Sequence, residues 1–120
     1  MNFQIPFLSS NPDNNLTEAD RIMSKYPDRI PVIVERNPNC SSDTPQLDKR
    51  KYLVPIDLTM GQFLYVIRKR LQMSSDKAIF MFVGGYVTCN TDLVCKVYSN
   101  YHDRNDRFLY MSYSCENTFG

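Results

Sequence analysis

The chain has no tryptophan, a single histidine and only four glycines in 120 residues. Glycine this scarce leaves no phosphate-cradling loop, and Gly84-Gly85, the one adjacent pair, reads as a turn. Cys40, Cys89, Cys95 and Cys115 form no C-x-x-C pair and no zinc-ligand spacing with His102. Reduced, partly buried thiols are therefore expected, and a Cys/His nucleophile pair would have to be assembled by the fold without any surrounding motif. Repeats and paired carboxylate motifs are absent, and no cofactor is implied. No apolar run is long enough to cross a bilayer, and MNFQIPFLSS lacks the charged first segment and apolar length of a secretory signal. Asn2 excludes the N-myristoylation motif. A cytosolic protein is expected, which gives the glycosylation patterns at Asn15 and Asn39 no role.

What is present fits one globular domain. Hydrophobic residues make up 42% and charged residues 22% of the chain, and a chain of this length buries roughly two thirds of its unfolded surface. Pro6, Pro12 and several asparagines mark residues 1–15 as an irregular arm, which leaves 16–120 as the domain. Net charge is +1, yet residues 21–70 hold 10 Lys/Arg against 5 Asp/Glu, and both flanks are net acidic. A basic face of this kind suits an acidic peptide or lipid headgroup. Nucleic acid is not expected, because no basic stripe is interleaved with aromatics.

The most informative stretch is DKRKYLVPIDLTMGQFLYVIRKR, residues 48–70. In 51–54, Lys51 and Leu53 alternate with Tyr52 and Val54, and Pro55 removes a ladder donor. Clustered lysines and a terminal proline protect a sheet edge. Its free backbone groups serve either as an ordinary edge or as a seat for a partner's extended peptide. Thr59-x-x-Gln62 is a capping box, with Leu58 and Phe63 at hydrophobic-staple positions. Met60, Phe63, Leu64, Ile67 and Leu71 fall on one helical arc, and Arg68, Lys69 and Arg70 close the last turn. Val66 lies off that arc, on the flank of Arg70. It is either a stray exposed valine or one wall of a shallow apolar groove with a basic rim.

Along the rest of the chain, Thr17-Glu18-Ala19-Asp20 starts a short helix that runs to Pro27, packs Leu16, Ala19, Ile22, Met23 and Tyr26, and leaves Glu18 and Arg21 wet. Residues 30–35 form a central strand, 37–46 a polar loop, and 78–83 a continuous apolar run fit for a buried strand. Tyr86-Val87 is a short return. Thr91-Asp92 opens another helix, and 107–114 alternates as a final strand. The order is helix, β, β, helix, β, helix, β. Parallel pairing of the first and last strands in the middle of the sheet makes this α+β, a β-grasp with a four-stranded mixed sheet and an additional N-terminal helix. On such a domain a terminal glycine, free of a side chain, can enter a narrow active site and have its carboxylate activated.

The segments KYPDRIPVIVE (25–35), DKRKYLVP (48–55), DLTMGQF (57–63) and IRKR (67–70) strongly resemble the ubiquitin-like autophagy modifier family. Its animal members are the gamma-aminobutyric acid receptor-associated proteins and the microtubule-associated protein light chains. Phe108-Leu109-Tyr110 and Phe119-Gly120 also fit. The resemblance implies a ubiquitin-like fold and a modifier that is a substrate, not an enzyme. Activating and transfer enzymes would join Gly120 to phosphatidylethanolamine, and a cysteine protease would deconjugate it. The lipid would carry a cytoplasmic protein onto autophagosome membranes.

The resemblance further implies that cargo receptors with aromatic-x-x-aliphatic motifs add a strand at the edge. Their aromatic residue would meet Glu18, Ile22, Pro31, Ile33, Lys51, Leu53 and Phe108. Their aliphatic residue would meet Tyr52, Val54, Pro55, Leu58, Phe63 and Val66. Arg29, Lys49 and Arg70 would attract acidic flanks. The chain departs from the pattern in its Asn/Pro-rich arm, where relatives carry a basic helical stretch, and in a longer 37–47 loop. It also stops at Gly120, where most relatives continue, which implies an end that is encoded ready for conjugation, processed or trimmed. Its rivals are an unconjugated β-grasp adaptor, a cytoskeletal adaptor with acidic tubulin tails on the basic face, and a hydrolase using one cysteine with His102.

Overall fold

Two capping arrangements, both legible in the sequence, set where the first two helices begin. In the computed structural model, which describes residues 17–40, 42–74 and 76–117, Thr17 accepts a hydrogen bond from the Asp20 amide at 3.1 Å and starts α1 (Glu18–Lys25). Thr59 starts α2 (Met60–Leu71): its hydroxyl accepts from the Gln62 amide at 3.2 Å, and Gln62 Oε1 accepts from the Thr59 amide at 2.9 Å. Two more first-turn donors are met by a neighbouring loop, Met60 N–H by the Asp92 carbonyl and Gly61 N–H by the Asn90 carbonyl. Glycine at 61 eases that approach, since a Cβ there would lie 3.1 Å from Asn90 Cβ and the neighbour would have to give by a few tenths of an ångström. Thr59→Ala removes half of the capping box and should cost about 1 kcal/mol in a urea melt. An unchanged midpoint would show that the 90–92 loop alone holds the helix start.

The strands are β1 (Arg29–Arg36), β2 (Lys51–Pro55), β3 (Lys77–Val83), β4 (Tyr86–Val87) and β5 (Leu109–Asn117). They form a five-stranded mixed sheet in the order β2-β1-β5-β3-β4, with β1 and β5 parallel and every other pair antiparallel. The expected parallel centre is present, but four strands become five because Tyr86-Val87 pairs with Val83 and Phe82. α3 (Val94–Tyr101) begins later than Thr91-Asp92 suggested, with Leu93 at the cap position and 41% exposed.

Apolar side chains occupy both faces of the sheet. The larger cluster lies against α2 and α3 and holds Val32, Val34, Tyr52, Val54, Phe63, Ile67, Leu109, Met111 and Tyr113 among others. The smaller one packs Ala19 and Ile22 of α1 onto Ile33, Leu53 and Phe108. Three expectations are corrected. β3 is not buried on both faces, because Ile79, Met81 and Val83 point into the core while Phe80 is 37% exposed. Leu64 is half-buried at the edge of its arc, and Arg21 is half-buried instead of wet. The 37–47 loop is held from below: the Tyr113 hydroxyl donates to the Pro45 carbonyl and accepts from the Leu47 amide. The 1–15 arm, Leu16 and Gly120 lie outside the described residues.

Candidate functional site

β2 ends the sheet and pairs only with β1, so one side of its ladder is open among the described residues. Alternation then assigns its side chains to two faces. Lys51 and Leu53 point to the α1 side, and Tyr52 and Val54 to the α2 side.

On the α1 side the structure brings the residues expected around an aromatic anchor together as packed core. Ile22, Ile33, Leu53 and Phe108 are between 0% and 5% exposed. Pro31 is buried and sits opposite Leu53 in the register. Lys51 closes the group from outside, with its ammonium 3.1 Å from a Glu18 carboxylate oxygen and 5.5 Å from the centre of the Phe108 ring.

On the α2 side the named residues separate into floor and wall. Tyr52, Val54 and Phe63 are each 0% exposed, and the Tyr52 and Phe63 rings meet edge to face at 6.0 Å. Pro55, Leu58 and Val66 are half-buried above them. A concave surface of about 600 Å³ follows the exposed flank of α2 and is lined by Leu58, Val66 and Arg70 of the expected set. It adds Gly61, Gln62, Tyr65 and Lys69, which sequence reasoning missed. The i, i+4 spacing of Tyr65 and Lys69 was the available signal, and in the structure the Lys69 ammonium lies 5.0 Å from the Tyr65 ring centre.

The basic rim is unevenly engaged. Lys49 is exposed, while Arg29 is half-buried with Nη1 lacking a hydrogen-bond partner. Arg70 lies 3.7 Å from Asp48 and 5.6 Å from the Tyr52 ring centre, and its Nε is buried without a partner. Each of these two guanidiniums thus has one buried nitrogen without a hydrogen-bond partner among the described residues. Burial raises the Tyr52 phenol above its ordinary value, and the nearby Arg70 partly offsets this. Tyr52 therefore stays protonated and donates to the Lys49 carbonyl at 2.8 Å.

His102 and two of the four cysteines have partners of their own. His102 Nδ1 lies 2.7 Å from the Tyr98 carbonyl oxygen and its ring stacks on Tyr98. The Cys89 thiol meets Thr91, and Cys115 meets Met73. Among the described residues no Cys–His hydrogen bond and no metal-holding cluster of His, Cys, Asp or Glu is formed.

A family model described as Autophagy protein Atg8 ubiquitin like matches residues 14–120. The chain belongs to the Atg8 family. It is 52% identical over 115 residues to Autophagy-related protein 8a of Arabidopsis thaliana, covering 95% of this chain and 92% of that one. It is 54% identical to Autophagy-related protein 8 of Mycosarcoma maydis, covering 86% and 85%. The crystal structure of Trypanosoma brucei ATG8 superposes with a TM-score of 0.77 at 43% identity and 86% coverage of each chain. Plasmodium falciparum Atg8, solved in complex with a Plasmodium falciparum Atg3 peptide, gives 0.71 at 34% identity, covering 81% and 84%. The fold is therefore ubiquitin-like, and this Atg8 chain is an autophagy protein of the modifier and adaptor type, not an enzyme.

Proposed function

We propose that this Atg8 protein is joined through Gly120 to phosphatidylethanolamine and that the tethered domain recruits cargo receptors and autophagy factors at the β2 edge. In this reading residues 1–15 are an arm, residues 16–120 are one domain, and the protein moves from the cytoplasm to autophagosome membranes. Its other partners are the activating and transfer enzymes and a deconjugating cysteine protease. The Atg3 peptide bound to the Plasmodium falciparum relative supports a peptide seat for the conjugation machinery.

The observation that carries the motif reading is the two-faced edge. In an extended peptide added to β2, residues three apart point to opposite faces. An aromatic-x-x-aliphatic motif therefore presents its anchors to opposite faces of the sheet. Leu53 and Phe108 lie on one face, and Leu58 and Val66 flank the other. Arg29, Lys49 and Arg70 suit acidic residues beside the motif.

The test is conjugation with the matching activating and transfer enzymes, ATP and phosphatidylethanolamine liposomes, comparing the full chain with one lacking Gly120. A lipid-linked product is expected from the full chain, with complete loss on deletion. No product from the full chain, with enzymes active on another Atg8 and peptide binding intact, would leave an unconjugated adaptor in its place.

A further inference from the structure

The sheet face turned away from α2 is covered by α1 over Ile33 and Leu53. Beyond that cover, Ser112 of β5 stands in register between Glu35 of β1 and Phe82 of β3. A small serine between larger neighbours leaves a depression of about 430 Å³, bounded at one end by Tyr110 and the Gly84-Gly85 turn. Neighbouring strands lie about 4.8 Å apart, which sets Glu35 and Phe82 roughly 10 Å apart across Ser112. A group held above Ser112 thus meets a carboxylate on one side and an aromatic ring on the other.

Two carboxylates, Asp103 and Asp106, lie in the loop before Tyr110, with Arg104 and Arg107 in the same loop. Asp103 accepts from the amides of Asn105 and Asp106 at 2.7 and 3.0 Å, and these bonds hold its carboxyl below the ordinary value. Asp106 accepts from the Phe108 amide at 2.9 Å and from the Tyr110 hydroxyl. The Tyr110 phenol is pushed up to about 12, first by its hydrogen bond to Asp106, then by burial and the charges of Asp106, Asp103 and Glu35. Tyr110 is 39% exposed with its hydroxyl anchored, so its ring is held in place at the rim.

We propose that this depression receives the guanidinium of an arginine in an extended segment of a partner protein, stacked against Phe82 and Tyr110 and paired with Glu35. Arginine suits the site better than lysine, because a planar guanidinium stacks on a ring while donating to a carboxylate. Glu35 already takes a guanidinium from within the chain, that of the exposed Arg50. An incoming arginine therefore competes with Arg50 for Glu35. At the rim, a Cβ built on Gly85 would meet nothing within 4 Å, which leaves space for the partner's backbone. The site is on the interior strands, away from the β2 edge, and stands independently of the groove proposed above.

The test titrates acetyl-Gly-Arg-Gly-amide, and its neutral citrulline counterpart, into the full labelled chain while amide and aromatic resonances are followed. Saturable shifts centred on Phe82, Tyr110 and Ser112 are expected, with the arginine peptide bound about threefold more tightly than citrulline. Glu35→Gln should remove that preference, and Arg50→Gln, which frees Glu35, should strengthen it about twofold. Ser112→Phe fills the depression and should abolish the shifts, with its backbone spectrum reporting on the fold. Equal binding of the two peptides, or a preference unchanged in Glu35→Gln, would overturn the proposal. Phosphatidylcholine vesicles shifting these resonances where the arginine peptide does not would also overturn it, by assigning the face to a lipid headgroup.

Discussion

Replacing Phe63 with alanine should lower the free energy of unfolding by about 3–5 kcal/mol. The ring is 0% exposed and packs edge-on against Tyr52, between α2 and β2. Its neighbours are poorly placed to close the cavity, because the start of α2 is pinned by the Thr59 capping box and by the Asn90 and Asp92 carbonyls. A domain of this kind is stable by about 5–15 kcal/mol in all, so the variant forfeits a large fraction of that margin. Urea unfolding checks it, and a loss under about 1 kcal/mol would mean that the ring lies in adaptable packing. Weak motif binding by this variant would report on the fold as much as on the groove. Val66→Ala, at a half-buried groove wall, is the cleaner probe of the aliphatic side.

Leu53→Ala should damage both stability and recognition, whereas Lys51→Ala should damage recognition alone. Leu53 is 5% exposed in the cluster beneath α1, and truncating such a leucine costs about 2–5 kcal/mol. Lys51 is exposed, and its bond to Glu18 is a surface ion pair, worth at most about 1 kcal/mol. In calorimetric titrations with an aromatic-x-x-aliphatic peptide, both variants should bind several-fold more weakly. Unchanged affinity in both would remove the α1-side face from the proposed groove. Equal losses of stability would show that Lys51 carries packing, through its stem over Phe108, that its exposure conceals.

The two substitutions also show how much of the site was legible in advance. The alternation Lys51-Tyr52-Leu53-Val54 correctly assigned the side chains to two faces, since strand periodicity is a local property. Val66 stood off the α2 arc in the sequence and lines the concave flank of that helix in the structure. Tyr65 was not singled out, although it is 58% exposed beside Lys69 in the same groove. Apolar residue type alone did not show whether Ile22, Ile33 and Phe108 line an open depression or a closed core. In the structure they are closed, because α1 lies across them and the Lys51–Glu18 pair joins its start to β2.

The starts of α1 and α2 and the strand periodicity were determined by the sequence itself. Caps, alternation and connection lengths act over a few residues and need no distant partner. Only the tertiary structure decided that Tyr86-Val87 adds a fifth strand, and that Tyr52, Val54 and Phe63 lie beneath the groove surface. The tertiary structure also set Glu35, Ser112 and Phe82 side by side across three strands. Burial and juxtaposition depend on which distant segment covers a face, and residue type does not specify that.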